Sequence, residues 1–427
     1  MVHIMRKPAT PMLSSFRSLL LAALVVAPAH LAEVRAQSWT DGPPMGRPRA
    51  NAAVAVLNGE LYVIGGQNTT GQPLGVVERY DPVTEAWETV ESLREERHSA
   101  VASVLQGRIV LMGGTDDSGE ATDDVEVYVP SEDDWESFDS MGEERNGVAS
   151  AVLGGLVFAL GGTSESGGFL TTCEVYDPVE EDWEPYAYWT LDPGRALFGA
   201  ATVDDAVYMA GGFSQFGPLD RFERYTLSGG STALAPLAAP RGNLALVSTD
   251  GAFGSDLFAI GGGNGSAVFS TVERYDIGRN AWEPVEPLQT AREGAVAAYL
   301  DGAIYVVGGR DATGNVLATM EVYRFPVDDE DAAAPTAFAL EAAYPNPFSE
   351  RTTLTLRLAE AGPATLIVYD VAGRAVATLA DGVLTAGEHR VTWDGTAADE
   401  RSLPAGLYVA RLTGSAGHAV SKLTLLR

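Results

Sequence analysis

Residues 60–97 read ELYVIGGQNTTGQPLGVVERYDPVTEAWETVESLREER, and this stretch decides the fold because the chain writes it repeatedly. Its apolar segment ends in the glycine pair Gly65-Gly66, which recurs as Gly113-Gly114, Gly161-Gly162, Gly211-Gly212, Gly261-Gly262 and Gly308-Gly309, at steps of 48, 48, 50, 50 and 47 residues. Glycine pairs alone carry little weight, since Gly154-Gly155 falls off register, but other features travel with the in-register ones. Each is followed by Glu-x-Tyr, at Glu78/Tyr80, Glu126/Tyr128, Glu174/Tyr176, Glu223/Tyr225, Glu273/Tyr275 and Glu321/Tyr323. A Trp stands seven residues after the Tyr at Trp87, Trp135, Trp183 and Trp282, and an Arg opens the next unit at Arg97, Arg145, Arg195, Arg241 and Arg292. Hairpin dipeptides such as Asn58-Gly59 and Asp301-Gly302 precede the glycine-ending segment and suit tight turns that need positive φ.

Each unit therefore holds about four short strands in a period near 50 residues, the signature of a β-propeller blade. On these residues the pattern resembles the kelch family, over about two thirds of the chain. The resemblance implies an all-β fold in which six units make a six-bladed kelch-like β-propeller over residues 37–325. The ends of the ring fit that count. Glu330 stands where the sixth unit would have its Trp, whereas Trp39 to Met45 matches Trp87 to Leu93, and Arg49 follows as Arg97 does. The N-terminal segment is thus expected to complete the last blade and to pair an otherwise open edge. Thr232 replaces Trp in the fourth unit, so its outer strand is expected to pack less well.

Composition bounds the rest. The chain has 427 residues, too many for one ordinary domain, and 58 Asp+Glu against 28 Lys+Arg give a formal net charge of −30. That charge disfavours binding to nucleic acid or anionic lipid. A single Cys excludes an internal disulfide framework and a Cys-rich metal cluster. Residues 1–36 read as a secretory signal: a basic start at Arg6, Lys7 and Arg17, an apolar run from Leu19 to Ala27, and a small-residue cleavage site at Val34-Arg35-Ala36. The run is too short for a spanning helix, which needs about 20 apolar residues, and no transmembrane segment is expected after signal removal. The mature protein is expected to be secreted or held at the cell surface.

Residues 326–337 form an acidic, Pro-bearing linker. Beyond them, over 338–427, short alternating segments such as Thr353–Leu358, Ala364–Tyr369, His389–Trp393 and Leu407–Leu412 suggest a small Ig-like β-sandwich. Tyr344-Pro345-Asn346-Pro347-Phe348, Val368-Tyr369-Asp370, Trp393-Asp394-Gly395 and Gly406-Leu407-Tyr408 resemble the C-terminal sorting domain of bacterial type IX secretion. The resemblance implies that the type IX export machinery engages residues 338–427 and carries the chain to the exterior of the outer membrane. An accessory sandwich that merely packs on the propeller is the plainer alternative.

The repeated Trp, Tyr and glycine pairs are architectural: aromatics fill space between blades, and glycine permits bends that no side chain allows. Cys173 aligns with Val77, Val125, Phe222, Val272 and Met320, so it is expected to be a buried thiol. The six Glu and six Arg are expected to pair between blades, because an isolated buried charge is costly; a cationic ring that binds ligand is the alternative. Positions that vary between blades are better binding candidates. The kelch resemblance implies contacts just after the blade-opening Arg (Asn51, His98, Asn146, Asn243, Glu293) and just after the glycine pair (Gln67, Asp117, Glu165, Phe213, Gln215, Arg310). Their mix of amide, aromatic, acidic and cationic groups suits a sugar or a peptide.

No catalytic residue, metal site or cofactor is expected. Kelch-type copper oxidases use two His and a Tyr–Cys crosslink, and this propeller has only His98. The stretch Asp116 to Glu120 lacks the spacing of an EF-hand loop. The leading expectation is a non-catalytic binding module for a glycan or protein partner. The alternative is a carbohydrate-acting enzyme similar to the kelch-type sialic-acid mutarotases, with Glu293 and His98 or Arg310 as its acid/base pair.

Overall fold

The computed structural model describes residues 38–249, 256–325, 339–341, 343–349, 351–358, 361–370, 374–385, 387–397, 401–414 and 417–426. The expected leader and linker lie outside them. Six four-stranded antiparallel sheets follow one another along the first part of the chain. The first comprises Ala53–Leu57, Glu60–Ile64, Val77–Asp81 and Ala86–Val90; the second Val101–Leu105, Arg108–Met112, Val125–Val129 and Asp134–Phe138. The third comprises Ala149–Leu153, Leu156–Leu160, Cys173–Asp177 and Asp182–Pro185; the fourth Gly199–Val203, Ala206–Ala210, Phe222–Thr226 and Ser231–Ala233. The fifth comprises Ala245–Thr249, Asp256–Ile260, Val272–Asp276 and Ala281–Val285. The sixth takes Val296–Leu300, Ala303–Val307 and Met320–Arg324 from one end of the repeat region and Trp39–Gly42 from the other, with Trp39 opposite Tyr323. Neighbouring first strands pack together in chain order, and that of the sixth sheet packs on that of the first, so the sheets close into a cycle.

The repeated residues explain why the sheets stack. Within a sheet, each outer-strand Trp lies directly opposite the Tyr of Glu-x-Tyr, as in Trp87 with Tyr80 at 5.1 Å between ring centroids and Trp282 with Tyr275 at 5.0 Å. In four of the five the indole N–H then reaches the preceding sheet: Trp87 donates to the Pro43 carbonyl at 2.9 Å, Trp135 to Glu91 at 3.1 Å, Trp282 to Ala235 at 2.9 Å and Trp39 to Glu286 at 2.8 Å. The buried Trp183 N–H has no hydrogen-bond partner among the described residues. The glycine pairs press against the following sheet. Gly65 has φ 59°, and a Cβ there would sit 2.7 Å from the Arg97 carbonyl, while Gly66 N–H donates to that same oxygen at 2.9 Å. The bond recurs around the cycle and ends with Gly309 donating to the Arg49 carbonyl at 2.9 Å.

The fourth sheet departs as expected: its outer strand is the short, exposed Ser231–Ala233. Sequence reasoning missed the compensation. Trp189, from the connection leaving the third sheet, packs on Tyr225 at 5.6 Å and donates its indole N–H to the Thr226 carbonyl at 3.0 Å.

The C-terminal region is a β-sandwich. A three-stranded sheet (Ala339–Leu340, Thr352–Leu358, Gly387–Trp393) faces a four-stranded one (Ala375–Leu384, Gly362–Asp370, Gly406–Gly414, Gly417–Leu425). Alternate residues Leu354, Leu356, Leu366, Val368, Ala410, Leu412 and Leu423 are fully buried between them, the period expected of half-buried strands. Trp393 closes the core against Phe348 and Tyr408.

Candidate ligand-binding face

The repeated charges are consumed inside the frame. Arg97 pairs with Glu126 at 2.8 Å, Arg145 with Glu174 at 2.9 Å, Arg195 with Glu223 at 2.6 Å, Arg241 with Glu273 at 2.7 Å and Arg292 with Glu321 at 2.6 Å; Arg49 pairs with Glu78 likewise. All twelve are buried. Pairing was expected, but between blades, and here the structure corrects the reading: each Arg holds the Glu on the third strand of its own sheet. The physical reason is reach. The Arg precedes the first strand, and its side chain runs under its own sheet, where its guanidinium also donates to backbone carbonyls such as Gly161 and Thr172. Its contacts with the preceding sheet are made by its backbone: its carbonyl accepts from the second glycine of the pair, and its N–H donates to a carbonyl of that sheet, as in Arg97 to Leu74 at 3.3 Å. In five of the sheets the Glu is held in turn by an N–H from the incoming connection, as in Arg94 to Glu126 at 2.9 Å and Ala238 to Glu273 at 3.0 Å, and Glu223 in the fourth meets Arg221 at 2.8 Å instead.

Two residues past each Arg, a second ring closes. Asn51, Ser99, Gly147, Leu197, Asn243 and Gly294 all have φ between 53° and 62°. Each donates its N–H to the carbonyl of the one before, from Ser99 to Asn51 at 2.8 Å around to Asn51 to Gly294 at 2.8 Å, the shortest being Asn243 to Leu197 at 2.6 Å. This cycle of six backbone hydrogen bonds constricts one mouth of a channel of about 590 Å3, lined mainly by Ala, Val, Ser and Thr of the first strands. Asn243 donates its side-chain amide to Asn51 Oδ1 at 3.0 Å.

The expected site residues thus separate into two registers. Asn51 and Asn243 belong to the mouth ring and bond each other. His98, Asn146 and Glu293 stand one residue earlier, on the rim, each opposite the residue after its sheet's glycine pair: His98 with Thr115, Asn146 with Thr163, Glu293 with Arg310. Gln67 and Phe213 occupy that same rim position opposite Ala50 and Ala196. Asp117, Glu165 and Gln215 lie further out, on exposed loops. Asp116 beside them is a loop cap, accepting N–H groups from Ser118 and Glu120 at 2.9 and 3.1 Å.

His98 and Glu293 are not brought together. They sit in the second and sixth sheets with the first between them, and the His98 ring meets Ser99 Oγ at 3.0 Å. Burial lowers the His98 pKa, so the ring is neutral near pH 7. Glu293 is half-buried; desolvation raises its pKa, and the Arg310 charge opposes the shift. Cys173 is buried, as expected, and desolvation pushes its thiol up to about 11. Among the described residues no group of three His, Cys, Asp or Glu side chains is placed to hold a metal ion, and no helix is long and apolar enough to cross a membrane.

Comparison with known proteins agrees with this frame. The KLHDC2/KLHL20/DRC7 Kelch-repeats domain matches residues 25–212, the Kelch motif matches 248–289 and 291–325, and the FlgD Ig-like domain matches 346–418. Human Kelch-like protein 33 is 33% identical over 136 residues, 31% of this chain and 25% of that protein. Human Kelch-like protein 21 is 44% identical over 57 residues, 13% of this chain and 10% of that protein. The chain thus spans a quarter or less of these curated relatives. The solved structure of YjhT superposes with a TM-score of 0.58 at 16% identity, covering 67% of this chain and 98% of that one, a likeness of fold.

Proposed function

Starting from a kelch-repeat propeller followed by an Ig-like domain, we propose that this chain is an exported, six-bladed binding module. It holds a glycan or protein partner on the face formed by the rim positions, and its C-terminal domain serves as the address for type IX export. The observation that carries the binding reading is the division of labour among polar groups. The repeated charges are paired within the sheets and the mouth amides bond one another. The rim residues that differ from sheet to sheet, Phe213, Glu293 and Arg310 among them, remain partly exposed. A scaffold that satisfies its own polar groups and presents variable ones on a single face is suited to recognition. The export reading rests on the leader-like residues 1–36 and on the Tyr344-to-Phe348 and Trp393-Asp394-Gly395 motifs.

The test is capture. Immobilised full chain should retain a glycan or protein from envelope and medium extracts, and Phe213→Ala with Arg310→Gln should lose it. Retention undiminished by both substitutions would move the binding surface elsewhere. For the enzymatic alternative, proton NMR of free sialic acid should show anomer exchange accelerated by the protein; exchange at the spontaneous rate removes that reading.

A further inference from the structure

On the face read above as the binding surface, the fifth sheet stands apart. Both of its rim positions are glycine, Gly242 and Gly263, directly opposite each other across the strands. They exchange N–H···O=C bonds of 2.9 Å in both directions, so their backbone groups are spent on each other. The bare floor they leave is claimed from both sides. A Cβ on Gly242 would collide with the Phe213 ring, which reaches in from the fourth sheet, and one on Gly263 would collide with Glu293 Oε2, which reaches in from the sixth. An aromatic ring and a carboxyl thus converge on one patch that carries no side chains of its own.

Arg310 completes the sector. It lies across the strand from Glu293, yet the two form no ion pair. Its guanidinium donates to the Gly314 carbonyl at 3.1 Å and meets no carboxylate among the described residues, unlike the six buried arginines. Glu293 bends towards Gly263 instead, into surroundings that desolvate it. Two opposite charges, each half-buried and neither satisfied by the other, favour a ligand that carries both signs. A simple carboxylate would gain Arg310 but face Glu293 and a chain of net charge −30. A simple amine would gain Glu293 but face Arg310. Charge-assisted hydrogen bonds to both ends reward only the ligand that has both.

We propose that Phe213, Glu293 and Arg310 form a site for a compact zwitterion, with its ammonium on Glu293, its carboxylate on Arg310 and an apolar group against Phe213, as in a free amino acid or a short peptide. This assignment rests on the reading of the rim as the binding face. Titration calorimetry of the full chain with L-leucine, the dipeptide Leu-Leu, isoamylamine and 4-methylpentanoate tests it. At least one of the two zwitterions binds, which of them binds tells a free amino acid from a peptide, and the amine and the acid bind about tenfold more weakly or not at all. Glu293→Gln and Arg310→Gln each weaken zwitterion binding about tenfold or more while leaving the unliganded melting temperature unchanged. Absence of binding by both zwitterions, or binding indifferent to both substitutions, overturns the assignment. If the zwitterions fail while a captured partner still depends on Phe213 and Arg310, the face stands and only its ligand chemistry falls. If neither depends on those residues, both readings fall.

Discussion

Asn243 donates its side-chain amide to Asn51 Oδ1 at 3.0 Å, tying the fifth sheet to the first over the backbone of Gly294 in the sixth. The contact exists because Gly294 has no side chain: a Cβ there would run into Asn51 Oδ1. Gly294 also has φ 61° and both donates to and accepts from its ring neighbours. Gly294→Ala therefore combines left-handed strain with loss of the amide pair, and it should lower propeller stability by about 1–3 kcal/mol. Thermal unfolding followed by Trp fluorescence measures this. Asn51→Gly, which removes the amide pair at a φ of 53° that glycine adopts freely, should cost less.

The buried pairs make a sharper prediction. Arg145 and Glu174 are both buried in the third sheet. Removing one partner leaves an uncompensated charge, so Arg145→Met should cost about 3–5 kcal/mol. The double change Arg145→Met with Glu174→Leu removes both charges and should recover most of that loss. Urea unfolding of the single and double variants checks it; a double variant as unstable as the single one would show that the pair acts through its backbone bonds alone.

These two rings also mark how far the sequence could be read. The sheets and their closure were legible because glycine pairs, Glu-x-Tyr and Trp recur in fixed register and because Trp39 continues a pattern that Tyr323 leaves unfinished. That each Arg pairs with one of the repeated Glu was legible, but not which one, since a repeating sequence does not say whether a long side chain crosses a seam or turns under its own sheet. The candidate site was legible as a set of variable positions only. Asn51 and His98 look equivalent in the sequence, one or two residues past an Arg, yet a shift of one residue separates the mouth ring from the rim. The glycine floor under Phe213 and Glu293 had a signal, Gly242 and Gly263 where other sheets carry side chains, but its meaning depends on neighbours some 30 to 50 residues away. Trp189 was missed because it lies off register, in a longer connection.

Trp189 should consequently matter more than its irregular position suggests. It is buried, stacks on Phe158 at 4.5 Å and covers Tyr225 in place of the missing fourth Trp. Trp189→Ala should destabilise the propeller by about 3–5 kcal/mol, measured by urea unfolding, whereas Thr232→Ala on the exposed outer strand should be nearly neutral.

Acid sensitivity should be local at the Asp311 loop. Its carboxylate accepts hydrogen bonds from the Thr313 hydroxyl and from the N–H groups of Asn315 and Thr313, which hold its pKa down at about 2. The native pKa lies below the unfolded value of about 3.9. The loop's contribution is therefore fully present above that value and is lost as the pH falls through about 2. Asn68 caps the equivalent loop of the first sheet with an amide, accepting from Thr70 and Gln72 N–H at 2.9 and 3.1 Å. Asp311→Asn should thus keep the loop ordered while abolishing its response to acid, visible as protection factors of the Thr313 and Asn315 amides that no longer fall at low pH.

The central claim, that one face of this propeller binds through the rim of its fourth to sixth sheets, is tested most directly by a thermal-shift screen of the full chain. The panel should span neutral sugars, uronic acids, sialic acid, amino acids, short peptides and divalent metals. A ligand at 100 times its Kd stabilises the native state by about 2.7 kcal/mol, well above detection. The account predicts that at least one organic ligand raises the melting temperature and that Phe213→Ala and Arg310→Gln each remove the shift without altering the unliganded protein. A shift that survives both substitutions would contradict it.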